Sequence, residues 1–169
     1  MATRIKLCRR YIFLLLLFTL PATVMGAGTA SAYTAQVRQV IDGDTVELQS
    51  SWRQVRVRLA EIDAPEHDQP YGMAAREALV ALVGGRMVRI VPIDRDRYGR
   101  VVARLYVGSL DVNAALVRRG YAWVYRQYAH DPALFAAEQE ARSTRRGLWA
   151  QGKPMPPWEW RAQERGYFR

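Results

Sequence analysis

The chain is 169 residues long, half of them hydrophobic and 24% charged, and 25 lysines and arginines against 16 aspartates and glutamates give a formal charge of +9. That length holds one ordinary domain, and the composition excludes a disordered, collagen-like or mucin-like chain. A single cysteine excludes an internal disulfide framework and any cysteine-based zinc finger, while the surplus of cations favours a polyanionic partner.

Arg4, Lys6, Arg9 and Arg10 precede an apolar run from Tyr11 to Leu20, followed by Pro21 and by the small-x-small pattern Ala30-Ser31-Ala32. This order predicts a secretory signal peptide over 1–32, cleaved near Ala32, and a secreted or periplasmic product. A retained membrane anchor is the rival reading, because 11–32 is mostly apolar and about one bilayer long. The short apolar core and the small residues after it favour cleavage. Cys8 lies ahead of the core, the wrong side for a lipoprotein cysteine, and would leave with the leader. The four leader cations would leave too, lowering the charge from +9 to +5. Lys153 is then the sole lysine, so the remaining cations are arginines, which suit two-pronged contact with phosphate. A GC-rich genome would produce the same bias.

From Ala35 onward the pattern predicts short strands. Gln36 to Ile41 is the first. In the second, Val46 and Leu48 alternate with Thr45 and Glu47. In Gln54-Val55-Arg56-Val57-Arg58-Leu59 the apolar residues share one face and the arginines the other. Pro70 can open a helix with Ala75, Ala78, Leu79 and Leu82 on one stripe, stopped by Gly84-Gly85. Two further strands, Arg86 to Ile93 and Val101 to Val107, flank Asp94-Arg95-Asp96-Arg97-Tyr98-Gly99-Arg100, a turn segment. Asp111 can cap a second helix with Val112, Ala115 and Leu116 inward and Gly120 at its end. Asp131-Pro132 starts a third, carrying Leu134, Ala137 and Ala141 and stopping at Gly147. The expected fold class is α+β: a five-stranded OB-fold β-barrel with three helices over 33–150. Residues 151–169, with Pro154, Pro156, Pro157, Trp158 and Trp160, read as an irregular tail whose tryptophans dock on the barrel.

Four acids gather near strand ends: Asp42 and Asp44 in Ile41-Asp42-Gly43-Asp44-Thr45, and Asp63 and Glu66 in Ile62-Asp63-Ala64-Pro65-Glu66. Arg58 and Arg100 lie within reach. Carboxylates from separate segments with a carbonyl or two make a hard oxygen site suited to calcium, and neighbouring arginines can neutralise a phosphate under attack by water. Each piece alone has a plainer reading: Asp-Gly-Asp as a tight turn, Asp-x-Pro-Glu as a loop before a helix, Arg58 as a solvated strand residue, Asp96–Arg100 as a charged hairpin. His67 and His130 show no metal-ligand spacing.

Taken together and in order, Val40–Thr45, Arg58–Glu66, Asp96–Arg100 and Asn113–Gly120 resemble the staphylococcal nuclease family, over about Val40 to Trp149. The resemblance implies a calcium-dependent nuclease that hydrolyses phosphodiester bonds of DNA and RNA by direct attack of water. It implies Asp44 and Asp63 as calcium carboxylates, the backbone carbonyl of Ala64 as a further ligand, and Asp42 behind them through water. Glu66 would be the general base, Arg58 and Arg100 the phosphate clamp, and Tyr98 a seat for a neighbouring nucleotide or phosphate. Ala64 replaces a threonine of the best-known members, at a position where only a carbonyl is needed. The segment from His67 to Gly72 is shorter than the substrate loop of the prototype. Tyr125 and Tyr128 are candidates for base stacking at altered spacing, with core packing as their plainer role. Arg118 reads as structural. A noncatalytic nucleic-acid-binding barrel is the alternative, and no stable protein partner is expected beyond a monomer.

Overall fold

The computed structural model describes residues 31–50 and 53–167. The leader reading, with Cys8, falls almost entirely outside them. Among the described residues no helix is long and apolar enough to cross a membrane.

Alternation builds the barrel. Strands β1 (Tyr33–Val40), β2 (Thr45–Ser50) and β3 (Arg53–Leu59) form a meander, continued after a helix by β5 (Met87–Arg95) and β6 (Val101–Val107). Their order in the sheet is β3-β2-β1-β5-β6, and parallel pairing of β3 with β6, Arg58 opposite Val102, closes the ring. Closure leaves no long free edge. Val46, Leu48, Val57, Leu59, Ile90, Ala103 and Leu105 fill the interior at 1% exposure or less. Fully burying a leucine of this kind contributes about 1.5–3 kcal/mol. The register of β5 shifts between Pro92 and Asp94, where a residue without an N–H is tolerated.

Two-residue strands trim the barrel: β4 (Ile62–Asp63) pairs with β8 (Trp123–Val124), and β7 (Leu110–Asp111) extends β6. Helix α1 (Gly72–Val83) buries Ala75, Leu79, Leu82 and Val83. It starts after Pro70, because the chain first turns through Tyr71 at a left-handed φ of 75°. Helix α2 (Val112–Arg118) is capped by the Asp111 carboxylate, which accepts from Ala114 N. Helix α3 (Pro132–Ser143) is capped by Asp131, which accepts from Ala133 N. It ends four residues before Gly147, which instead opens a 3-10 turn (Gly147–Gln151).

The C-terminal segment differs from its expectation of irregularity. Pro157–Tyr167 is a fourth helix, α4, with Glu159 in its first turn. Pro157 at the first position and an acid in the opening turn are ordinary helix-start chemistry. Trp158 packs on a small second cluster of Trp123, Ala141, Leu148 and Trp149.

Candidate active site

The turn between β1 and β2 carries Asp42 and Asp44, and the chain leaving β3 through β4 carries Asp63, Ala64 and Glu66. Gly43 lets the two segments touch. A Cβ on it would lie 2.6 Å from that of Ala64 and 2.8 Å from that of Ala75 on α1. Asp42 Oδ1 accepts from Asp44 N at 3.0 Å, and Asp44 Oδ2 accepts from Ala64 N at 2.7 Å. Asp63 is set by pairing opposite Trp123 on β8. That strand is held by the buried Glu138 carboxylate, which accepts from Val124 N at 2.9 Å and from Arg126 at 2.7 Å.

Arg58 joins the two acidic segments. Its Nη2 lies 3.0 Å from Asp44 Oδ2 and 2.7 Å from Asp63 Oδ1, while Nη1 donates to the carbonyls of Leu59 and Ile62 at 2.9 and 3.0 Å. The loop thus wraps its own arginine and aims it at the carboxylates. On the other side Asp44 Oδ1 accepts from Thr45 Oγ1 at 3.2 Å, and Arg100 Nη1 reaches Thr45 Oγ1 at 3.5 Å. Arg100 is oriented by Asp96, which takes its Nε at 2.6 Å and caps the turn through Tyr98 N and Arg100 N. Asp42, Asp44, Asp63, Ala64, Arg58 and Arg100 therefore meet along one connected path.

Burial pushes the Asp44 carboxyl well above its ordinary 3.8; Arg58 and Ala64 N draw it back, and the charges of Asp42 and Asp63 raise it further. A buried carboxylate flanked by like charges is favoured by added positive charge. The donors are all hard oxygens, so Asp44, Asp63 and a backbone carbonyl fit calcium, with water and substrate oxygens left to complete its shell. Among the described residues no three His, Cys, Asp or Glu side chains form a ready-made cage.

Beside this path opens a cleft of about 460 Å³ lined by Ile41, Asp42, Thr45, Arg56, Tyr98, Gly99 and Arg100. Tyr98 is 70% exposed at its rim, its ring 5.6 Å from the Arg100 guanidinium. Arg56, two residues before Arg58 and on the same face of β3, adds a cation that was not singled out from the sequence. Tyr125 and Tyr128 sit elsewhere, edge to face with centroids 5.0 Å apart, near β8. They do not share the cleft with Tyr98. Tyr128 is exposed, but the Tyr125 ring is stacked on Trp158 of α4 at 5.7 Å and 4°.

Glu66 joins the cluster through a residue that sequence reasoning missed. Arg161 of α4 donates from Nη1 to Glu66 Oε1 at 2.5 Å and from Nη2 to Asp63 Oδ2 at 2.8 Å. Gln69, nearly buried, accepts from Glu66 N at 3.1 Å and donates to Met155 O at 2.6 Å, tying the Glu66 loop to the same C-terminal segment. Nothing in the linear pattern places an arginine 98 residues away on Asp63.

The chain is similar to known proteins over most of its length. The family described as staphylococcal nuclease homologue matches residues 56–151. An Escherichia coli protein named an uncharacterized endonuclease is 46% identical over 127 residues, which are 75% of this chain and 83% of that protein. A Haemophilus influenzae protein with the same description is 39% identical over 153 residues, 90% of this chain and 84% of its own. A micrococcal nuclease of Shigella flexneri is 36% identical over 140 residues, 76% of this chain and 80% of its own.

Proposed function

The chain belongs to the staphylococcal nuclease family, and from that premise we propose that it hydrolyses phosphodiester bonds of DNA and RNA with calcium held by Asp44, Asp63 and the Ala64 carbonyl. The observation that carries this reading is the Arg58 guanidinium between Asp44 and Asp63, with Arg100 reached through Thr45 on the far side of Asp44. Calcium bound there would supply fixed positive charge to the phosphate in its transition state.

The chain's own residues do the rest. Glu66 takes a proton from the attacking water. Arg58 and Arg100 hold the phosphate oxygens as negative charge grows on them, and their geometry is set beforehand by the Leu59 and Ile62 carbonyls and by Asp96. Asp96 occupies Nε of Arg100, which turns its terminal nitrogens toward the cleft. Asp42 supports Asp44 from behind. Tyr98 and Arg56 flank the cleft as contacts for the next nucleotide or phosphate along the strand. The basic leader, apolar core and Ala30-Ser31-Ala32 take the product out of the cytoplasm.

The test is cleavage of plasmid DNA and of RNA, with calcium or with chelator, by the parent, Glu66→Gln and Arg58→Lys. Each variant should lose about 10²–10⁴ in turnover. Lysine should fail because one ammonium cannot reproduce the fork that spans two carboxylates and a phosphate. Cleavage by both variants at the parental rate would refute the assignment. Retention of nucleic acid without cutting in any condition would favour the noncatalytic barrel.

A further inference from the structure

Three contacts bring the C-terminal segment over the site. Arg161 bridges Asp63 and Glu66, with Nη1 also 3.3 Å from Asp63 Oδ1. Trp158 covers one face of Tyr125. The Met155 carbonyl accepts from Gln69, the residue that holds Glu66 N. Apart from these, Pro157 is buried and Trp158 packs on the second cluster, while residues 159, 162, 163, 165 and 166 are exposed and the tether before the helix contains the exposed Gly152 and Lys153. Gly152 has a φ of 89° and empty space around it. Few buried contacts on an exposed tether place a segment at the low-stability end of a fold.

Those contacts occupy the groups that hydrolysis needs. Asp63 Oδ1 is already met by Arg58 and Oδ2 by Arg161, so both oxygens face guanidinium donors. A divalent cation beside Asp63 would be repelled by a fixed positive charge 2.8 Å from the same carboxylate. The Glu66 oxygen facing Arg161 is engaged by an N–H and cannot meanwhile accept the proton of water. Tyr125 has no free face on the side that Trp158 covers.

We propose that α4 is an autoinhibitory strap: Arg161 sets a fixed positive charge on Asp63, one of the carboxylates that would hold calcium, and ties up Glu66, so the strap must lift for calcium and a nucleic-acid strand to engage. This rests on the calcium-nuclease reading and adds regulation to that site. Calcium and the docked helix then compete for Asp63, so a helix docked nine-tenths of the time weakens the apparent calcium affinity about tenfold. A polyanionic strand assists release, because its phosphates offer Arg161 another partner and its bases another face for Tyr125.

The experiment compares the parent chain with Arg161→Ala and Trp158→Ala. Calcium affinity is read by calorimetry, hydrogen exchange of the α4 amides is followed with and without calcium, and cleavage is measured across a calcium series. Trp158→Ala loosens the same helix without touching a carboxylate. Expected are a calcium affinity about tenfold tighter in both variants, faster exchange across 157–167 of the parent when calcium is added, and a lower calcium requirement for cutting. Equal or weaker affinity in both variants, or α4 amides that calcium leaves equally or better protected, would overturn the strap while the nuclease reading stands. Tighter binding in the variants with no cutting by any of the three proteins would sustain the strap and overturn the nuclease reading.

Discussion

At Arg58 a single guanidinium accepts two duties, and they separate by experiment. Two N–H groups are used by the Leu59 and Ile62 carbonyls and another by Asp44 and Asp63, of which Asp63 is 1% exposed. Arg58→Ala therefore strips two buried carboxylates of a counter-charge, and breaking a buried pair by deleting one partner costs about 3–5 kcal/mol. Urea denaturation without calcium should show a loss of that order. A loss within experimental error would mean that Arg58 only contacts substrate. Arg58 was legible as a candidate because alternation put it opposite the apolar face of β3. Its structural duty was not, because the carbonyls it grips belong to a turn whose path no periodicity describes. Arg161 was hidden for a related reason: its partner Asp63 lies 98 residues away, and a pattern read over a short window cannot see it.

At the scale of elements, the acidic turn between β1 and β2 works only because it packs against the loop after β4 and the start of α1. Gly43 is the joint. Alanine there would press its methyl to 2.6 Å from Ala64 Cβ and 2.8 Å from Ala75 Cβ. The chain must give, at about 1–3 kcal/mol for overpacking, and the piece that gives carries Asp44. Gly43→Ala should thus weaken calcium binding measured by calorimetry while the barrel keeps its far-ultraviolet circular dichroism. Unchanged affinity would show that the metal carboxylates do not depend on this contact. The five long strands were readable from alternation, and the caps Asp111 and Asp131 from their side-chain chemistry. Helix α4 was masked by its own composition, since the prolines and tryptophans that suggested an irregular tail include the Pro157 that opens the helix. The two-residue strands β4 and β8, which fix Asp63, are too short for a period to exist.

Across the whole molecule, one ionic network fastens α2 and α3 to the barrel. Glu61, in the turn between β3 and β4, adopts a φ of 64°, a conformation that costs a residue other than glycine about 1–3 kcal/mol. Its carboxylate accepts from His130 N at 2.7 Å and Asp131 N at 3.2 Å and pairs with Arg104 of β6 at 2.8 Å. Arg104 in turn pairs with Asp111 and Asp131, the caps of α2 and α3, at 3.1 and 2.7 Å. Desolvation alone would raise Glu61, but the His130 N–H, Arg104 and the Asp131 N–H outweigh it and hold the carboxyl below its ordinary 4.5. Asp131 is likewise held below 3.8, first by the Ala133 N–H and, against desolvation, by Arg104. Carboxyls held low in the folded chain bind protons there less readily than in the unfolded one. Their contribution is complete above the ordinary values and disappears as pH falls through the lower folded ones. Glu61→Gln should then cost about 1–3 kcal/mol at pH 7 by urea denaturation, through loss of charge-assisted hydrogen bonds. The gap between parent and variant should narrow as the pH falls below 4.5 and through the lowered folded value, where the parent's own carboxyl takes up its proton and resembles the amide. A penalty that stays constant from pH 7 to pH 2 would show that shape, and not charge, joins the helices to the barrel.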